Sequence, residues 1–158
     1  MIPGTTVAIG GSIDRLDLNS DGAIARVTDY KSGKSPGKKP LVLKGGAELQ
    51  RCLYAYAVRS LVPVVNDIQT RLLFPRAEKD GLYELADPAA VLASLAGFVN
   101  SAQRYAAAGN VLPGAGAQDA FNDLAFALPG GAKESYFELK SSLISDRLTD
   151  LSALWEME

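Results

Sequence analysis

The chain has 158 residues, 47% of them hydrophobic and 22% charged, an ordinary mix for one globular domain with a real core. With one cysteine and no histidine, it carries no internal disulfide, no multi-cysteine zinc or iron–sulfur site, and no Ser-His-Asp or Cys-His catalytic pair. The net charge of −2 hides an asymmetry, since residues 1–79 carry 12 Lys/Arg against 7 Asp/Glu and residues 80–158 carry 4 against 11.

No run of about 18 apolar residues is present, so no membrane span or membrane partner is expected. The start Met1-Ile2-Pro3-Gly4 lacks the basic and apolar stretches of a secretory signal. A cytoplasmic protein is the expectation.

Residues 5–9 and 12–18 read as extended segments, separated by a bend at Gly10-Gly11. Asn19-Ser20-Asp21-Gly22 is a turn, and Asp-Gly between apolar runs is a strong hairpin signal. Residues 23–30 form the returning strand. Residues 32–46 hold four glycines and two prolines and read as loop, with room for a short strand at Leu41-Val42-Leu43. Residues 47–61 read as a helix, with Leu49, Leu53, Tyr56 and Ser60 spaced three and four apart as the core stripe, and Pro63 beyond its end. Residues 67–74 alternate, with Ile68, Thr70, Leu72 and Phe74 on one face. Residues 82–85 are the hairpin partner of that strand. Asp87-Pro88 starts a helix, a cap followed by proline at the first helical position, which runs to Ala108 and stops at Gly109-Asn110. Residues 111–117 are a loop. Further helices are expected over 118–127, 132–143 and 146–157. The order predicts one α+β (mixed α/β) domain over residues 1–158.

The chemistry concentrates in three stretches. Residues two apart on a strand share a face, so Asp29 and Lys31 project side by side. The Asn19–Gly22 turn lets antiparallel pairing carry Asp14 close to Asp29. Two carboxylates can hold a hard divalent cation, and a lysine beside them can orient a water or stabilise developing negative charge. The bland alternative is a surface ion pair worth about 0–1 kcal/mol. Lys31, Lys34, Lys38, Lys39 and Lys44 fall in a stretch with no acid between Asp29 and Glu48. That stretch is either a phosphate-facing loop or simply a solvated one. Gln50 and Tyr54, four apart, share a helix face. Each is also compatible with an ordinary helix surface.

Taken together, Gly11-Ser-Ile-Asp14-Arg15-Leu-Asp17, then Asp29-Tyr30-Lys31-Ser32-Gly33, then Gln50 with Tyr54 resemble the PD-(D/E)XK nuclease superfamily, in particular its RecB/AddB-like branch. The resemblance covers about residues 7–60, more loosely to 85, and none is found in the last third. It implies a restriction-endonuclease-like core sheet flanked by helices and a metal-dependent, exonuclease-type deoxyribonuclease of recombination or repair. By that resemblance Asp14 and Asp29 bind the metal with the Tyr30 carbonyl. Lys31 is the catalytic lysine, and Gln50 and Tyr54 contact DNA and support the site. Lys34, Lys38 and Lys39 are expected to touch phosphates. The implied cofactor is Mg²⁺ or Mn²⁺. One cysteine excludes the four-cysteine iron–sulfur cluster of many relatives. Arg15 is expected to pair with Asp17. Glu48 is either an extra metal or water ligand or an acid placed by the helix dipole.

Only six residues precede Val7, so the family's usual first helix has no room. The chain therefore reads as the C-terminal fragment of a longer nuclease or helicase–nuclease, with DNA and a helicase domain or subunit as partners. Two rival readings remain: a DNA-binding or scaffold domain that keeps the fold without cutting, and an unrelated α+β interaction domain.

Overall fold

The structure, a computed structural model, describes residues 1–37, 41–46, 48–111, 140 and 142–153. Strand β1 (Arg15–Leu18) pairs antiparallel with β2 (Ile24–Tyr30), in register from Arg15↔Thr28 to Leu18↔Ala25. Their turn is closed by Asn19 N donating to Ile24 O at 3.1 Å and by Ile24 N donating to Asn19 Oδ1 at 2.8 Å. Gly22 stands at φ 72° in that turn with Val64 Cγ2 3.5 Å from where a Cβ would be, which is why the Asp-Gly pair works there.

Helix α1 (Gln50–Leu61) then crosses to β3 (Asp67–Leu73), which runs parallel to β2 from Ile24↔Asp67 to Tyr30↔Leu73. A parallel pair needs such a long connection. Strand β4 (Leu82–Glu84) returns antiparallel to β3 and completes the order β1-β2-β3-β4. Helix α2 (Pro88–Ala107) follows, its start capped by Asp87 Oδ1, which accepts from Ala90 N at 3.0 Å. The result is the mixed α+β architecture expected, a four-stranded mixed sheet with helices, consistent with a restriction-endonuclease-like fold.

The chain forms two compact units, one of Met1–Val42 and Glu48–Ala96, the other of Leu43–Ala47 and Gly97–Glu158. The first contains the sheet and α1. There Ala25, Val27, Val58 and Val65 form a core, with Ile13, Tyr54, Val62 and Ile68 packed on it. A second cluster joins Leu41, Leu72 and Phe74 to Ala77 and Tyr83. In the second unit Arg104 pairs with Asp150. No helix among the described residues is long and apolar enough to cross a membrane.

Several expectations are corrected. Residues 5–9 are not a strand: the Pro3–Gly4 turn folds the start back, with Ile2 N donating to Val7 O at 2.9 Å. The first strand begins at Arg15 rather than Ser12. Leu41-Val42-Leu43 is not a strand either; the Leu41 carbonyl accepts from Arg51 instead of a ladder. The buried stripe of α1 is Arg51, Cys52, Ala55 and Val58, while Leu53 and Tyr56 are half-buried and Ser60 is exposed. Residues 142–147 are helical without a break at 143–146; the break comes at Leu148, before a 3₁₀ turn at Thr149–Leu151. The helix expected over 118–127 and most of that over 132–143 lie outside the described residues. Among the described residues no helix precedes β1.

Candidate active site

The β1–β2 register, continued by one residue, sets Asp14 opposite Asp29. Asp14 itself is exposed, and its Oδ2 accepts from Tyr30 N at 3.0 Å. That bond fixes the carboxylate against the end of β2. An extended residue points its N–H and C=O to the same edge, so the Tyr30 carbonyl faces the same side as Asp14.

Asp29 is on the β2 face that also carries Ala25 and Val27, the face on which α1 packs. Its carboxylate is therefore almost fully buried, with 5% of the side chain exposed. Lys31, two residues on, puts Nζ 2.6 Å from Asp29 Oδ2. The Lys31 ammonium is thus the partner of this buried oxygen. Burial pushes the Asp29 carboxyl above its usual range, the Lys31 ammonium pulls it back, and neighbouring Asp14 pushes it up again.

The helix closes the arrangement. Lys31 Nζ donates to Gln50 Oε1. Tyr54, one turn along, has its hydroxyl pKa raised first by burial and then by the charges of Asp29 and Asp14, with Gln50 and Lys31 opposing. Gln50 and Tyr54 sit at the border of the buried stripe of α1, and from there they reach the end of β2. The structure thus brings Asp14, Asp29, Lys31, Gln50 and Tyr54 to one place. Among the described residues no group of three or more His, Cys, Asp and Glu is arranged to hold a metal.

Other sequence candidates fall elsewhere. Arg15 Nε donates to both carboxylate oxygens of Asp17, at 3.0 and 2.9 Å, as expected for an ion pair on β1, and Nη1 reaches Tyr30 Oη at 3.4 Å. Glu48 is buried against Arg51, whose Nε and Nη2 donate to Glu48 Oε2 at 2.9 and 2.8 Å. Arg51 also donates to Tyr83 O at 3.2 Å and to Leu41 O. Sequence reasoning missed this hub, although an acid and an arginine three apart at a helix start is its signal. Burial and Glu48 raise the Cys52 thiol to about 11, so it is no thiolate at neutral pH. Lys34 is exposed, and Lys38 and Lys39 lie outside the described residues.

A four-stranded mixed sheet that carries an acid, an acid-x-lysine pair and a supporting helix on one face defines a nuclease-type core. The family model of the PD-(D/E)XK nuclease superfamily matches residues 2–138, and the chain belongs to that superfamily. The match runs well beyond residue 85, into the last third where the sequence reading found no resemblance. No match was found among curated proteins or among solved structures.

Proposed function

We propose that this chain is a metal-dependent deoxyribonuclease domain of exonuclease type, of the RecB/AddB-like branch, acting in recombination or repair in the cytoplasm beside a helicase domain or subunit that feeds it DNA. The observation that carries the proposal is the convergence of Asp14, Asp29, Lys31 and Gln50 at the end of β2, with the almost fully buried Asp29 carboxylate held against the Lys31 ammonium.

The corner fits a hard cation by the chemistry of its donors. The donor set is all oxygen, which suits Mg²⁺ or Mn²⁺ rather than zinc. The Asp29 carboxylate, the Asp14 oxygen not used by Tyr30 N, and the Tyr30 carbonyl would hold the ion. A bound ion would supply positive charge where the phosphoryl group gains negative charge. Lys31 adds a cation beside the acids, able to orient a water and to stabilise the charge that develops on the phosphate. Gln50 holds the ammonium in place through its accepting carbonyl. Tyr54, whose pKa is raised, keeps its proton at neutral pH and remains a donor toward the substrate.

The test is a Mg²⁺-dependent nuclease assay on the full chain, with DNA binding measured in a chelator. Asp29→Ala and Lys31→Ala are each expected to lose at least about 100-fold in cleavage. Asp29→Ala should also lose Mn²⁺ binding, whereas Lys31→Ala should keep it. Near-wild-type cleavage by Lys31→Ala would overturn the assignment. A wild type that binds DNA and never cuts would leave the scaffold reading in its place.

A further inference from the structure

A groove of about 580 Å³ opens next to the candidate active site, between the loop that follows Lys31 and the turn joining β3 to β4. Ser32, Gly33 and Lys34 line one wall, and Arg76, Glu78 and Lys79 the other. Three cations against one acid give it a positive balance. Lys34, Arg76 and Lys79 are all exposed, and among the described residues none of them is in an ion pair. Charge left uncompensated along a cleft focuses the field on an anion.

The walls are tied together rather than loose. Ser35 Oγ donates to Asp80 O at 2.8 Å and lies 2.9 Å from Tyr83 Oη, and Tyr83 donates to Gly37 O. The far turn is itself tight, with Phe74 N donating to Gly81 O at 2.7 Å. Both walls are thus held by neutral hydrogen bonds, and the three cations are not used to hold them.

We infer that this groove is a second phosphate-binding subsite, in which Lys34, Arg76 and Lys79 grip the backbone of the DNA strand flanking the scissile bond. The inference rests on the nuclease reading for its substrate. It names Arg76 and Lys79, which lie more than 40 residues beyond the motif stretch around Lys31. Position sets the reach. Lys34 is three residues from Lys31, so their Cα atoms are at most about 11 Å apart. At a rise of at least about 3.4 Å per phosphate, that is at most about three nucleotides from the reacting phosphate. Chemistry sets the mode. Among the described residues no aromatic side chain lines the groove, so they offer no stacking platform for bases. Contacts to phosphate alone carry no sequence information.

The experiment compares wild type with the double variant Arg76→Gln/Lys79→Gln. Both residues are exposed, so folding should be unaffected. Binding of a labelled single-stranded 15-mer is followed by anisotropy, in a chelator, over a salt series. Each phosphate contact contributes about 0.7 to the slope of log K against log salt on a single strand. The double variant should therefore show a slope smaller by about 1.4, equally for sequences of different composition. In Mg²⁺, the variant should lose its preference for long substrates over dinucleotides, which carry no flanking phosphate, while cutting dinucleotides as wild type does. An unchanged slope, a sequence-dependent loss, or no wild-type binding at all would overturn the subsite. A reduced slope in a protein that never cleaves would keep the subsite and overturn the nuclease reading instead.

Discussion

Glu48 offers the sharpest separation of a structural role from a catalytic one. Its partner Arg51 is buried with 1% of its side chain exposed, and Glu48 supplies the only carboxylate paired with it among the described residues. Replacing Glu48 with Ala strands a guanidinium in the interior, with only the Leu41 and Tyr83 carbonyls left as acceptors. Removing one partner of a buried pair costs about 3–5 kcal/mol. At about 2–4 °C per kcal/mol for a chain of this size, Glu48→Ala should melt about 6–20 °C below wild type. The double variant Glu48→Ala/Arg51→Met should cost less than the sum of the two single changes, because the second removes the charge the first leaves exposed to the core. Thermal melts and urea unfolding of the four proteins give the cycle, and Mn²⁺ titration of the folded variants gives the comparison with a ligand role. A Glu48→Ala protein within about 2 °C of wild type would refute the energetics. Normal stability with lost Mn²⁺ binding would make Glu48 a metal ligand.

Two further outcomes follow from other positions. Because burial raises the Asp29 pKa above its unfolded value, its ionised form opposes folding; wild-type stability should fall as pH rises from about 4 through the folded pKa, and Asp29→Asn should lack that fall. Melts of both proteins from pH 4 to 8 in a chelator check this, and a wild type that gains stability over that window relative to the variant would refute it. Gly81→Ala sets a Cβ 2.8 Å from Phe74 O and 2.9 Å from Ala77 Cβ, and the overlap in the tight β3–β4 turn should cost about 1–3 kcal/mol in urea unfolding; an unchanged midpoint would show that the turn yields freely.

The hairpin was legible because the Asp-Gly turn and the alternation on either side fix one register, and that register alone sets Asp14 opposite Asp29. Lys31 followed from the strand period. The parallel pairing of β2 with β3 was not legible, since no local pattern distinguishes a strand that pairs with its neighbour from one that pairs across a helix. The helix stripe was misread for a related reason. Periodicity weighed Leu49, Leu53 and Tyr56 as core, while the interior is set by Arg51, whose charge disqualified it by type and whose partners include two carbonyls distant in sequence. Arg76 and Lys79 carried no signal at all, because the role proposed for them depends on facing Lys34 across a groove that only the folded chain creates.

The central position of β2 gives the two halves of the candidate site different folding histories. The β1–β2 hairpin closes across a turn of a few residues, whereas β2 meets β3 across 43. Closing the longer loop costs about 1.5 kcal/mol more in chain entropy, and its contacts come late. The acids can therefore meet while water still covers them. Gln50, 19 residues from Lys31, reaches the strand end only when α1 settles on the sheet. That docking step strips the water from Asp29, so a charge whose burial is unfavourable is desolvated near the end of the folding path. The functional corner should accordingly be among the first to rehydrate when the native state loosens.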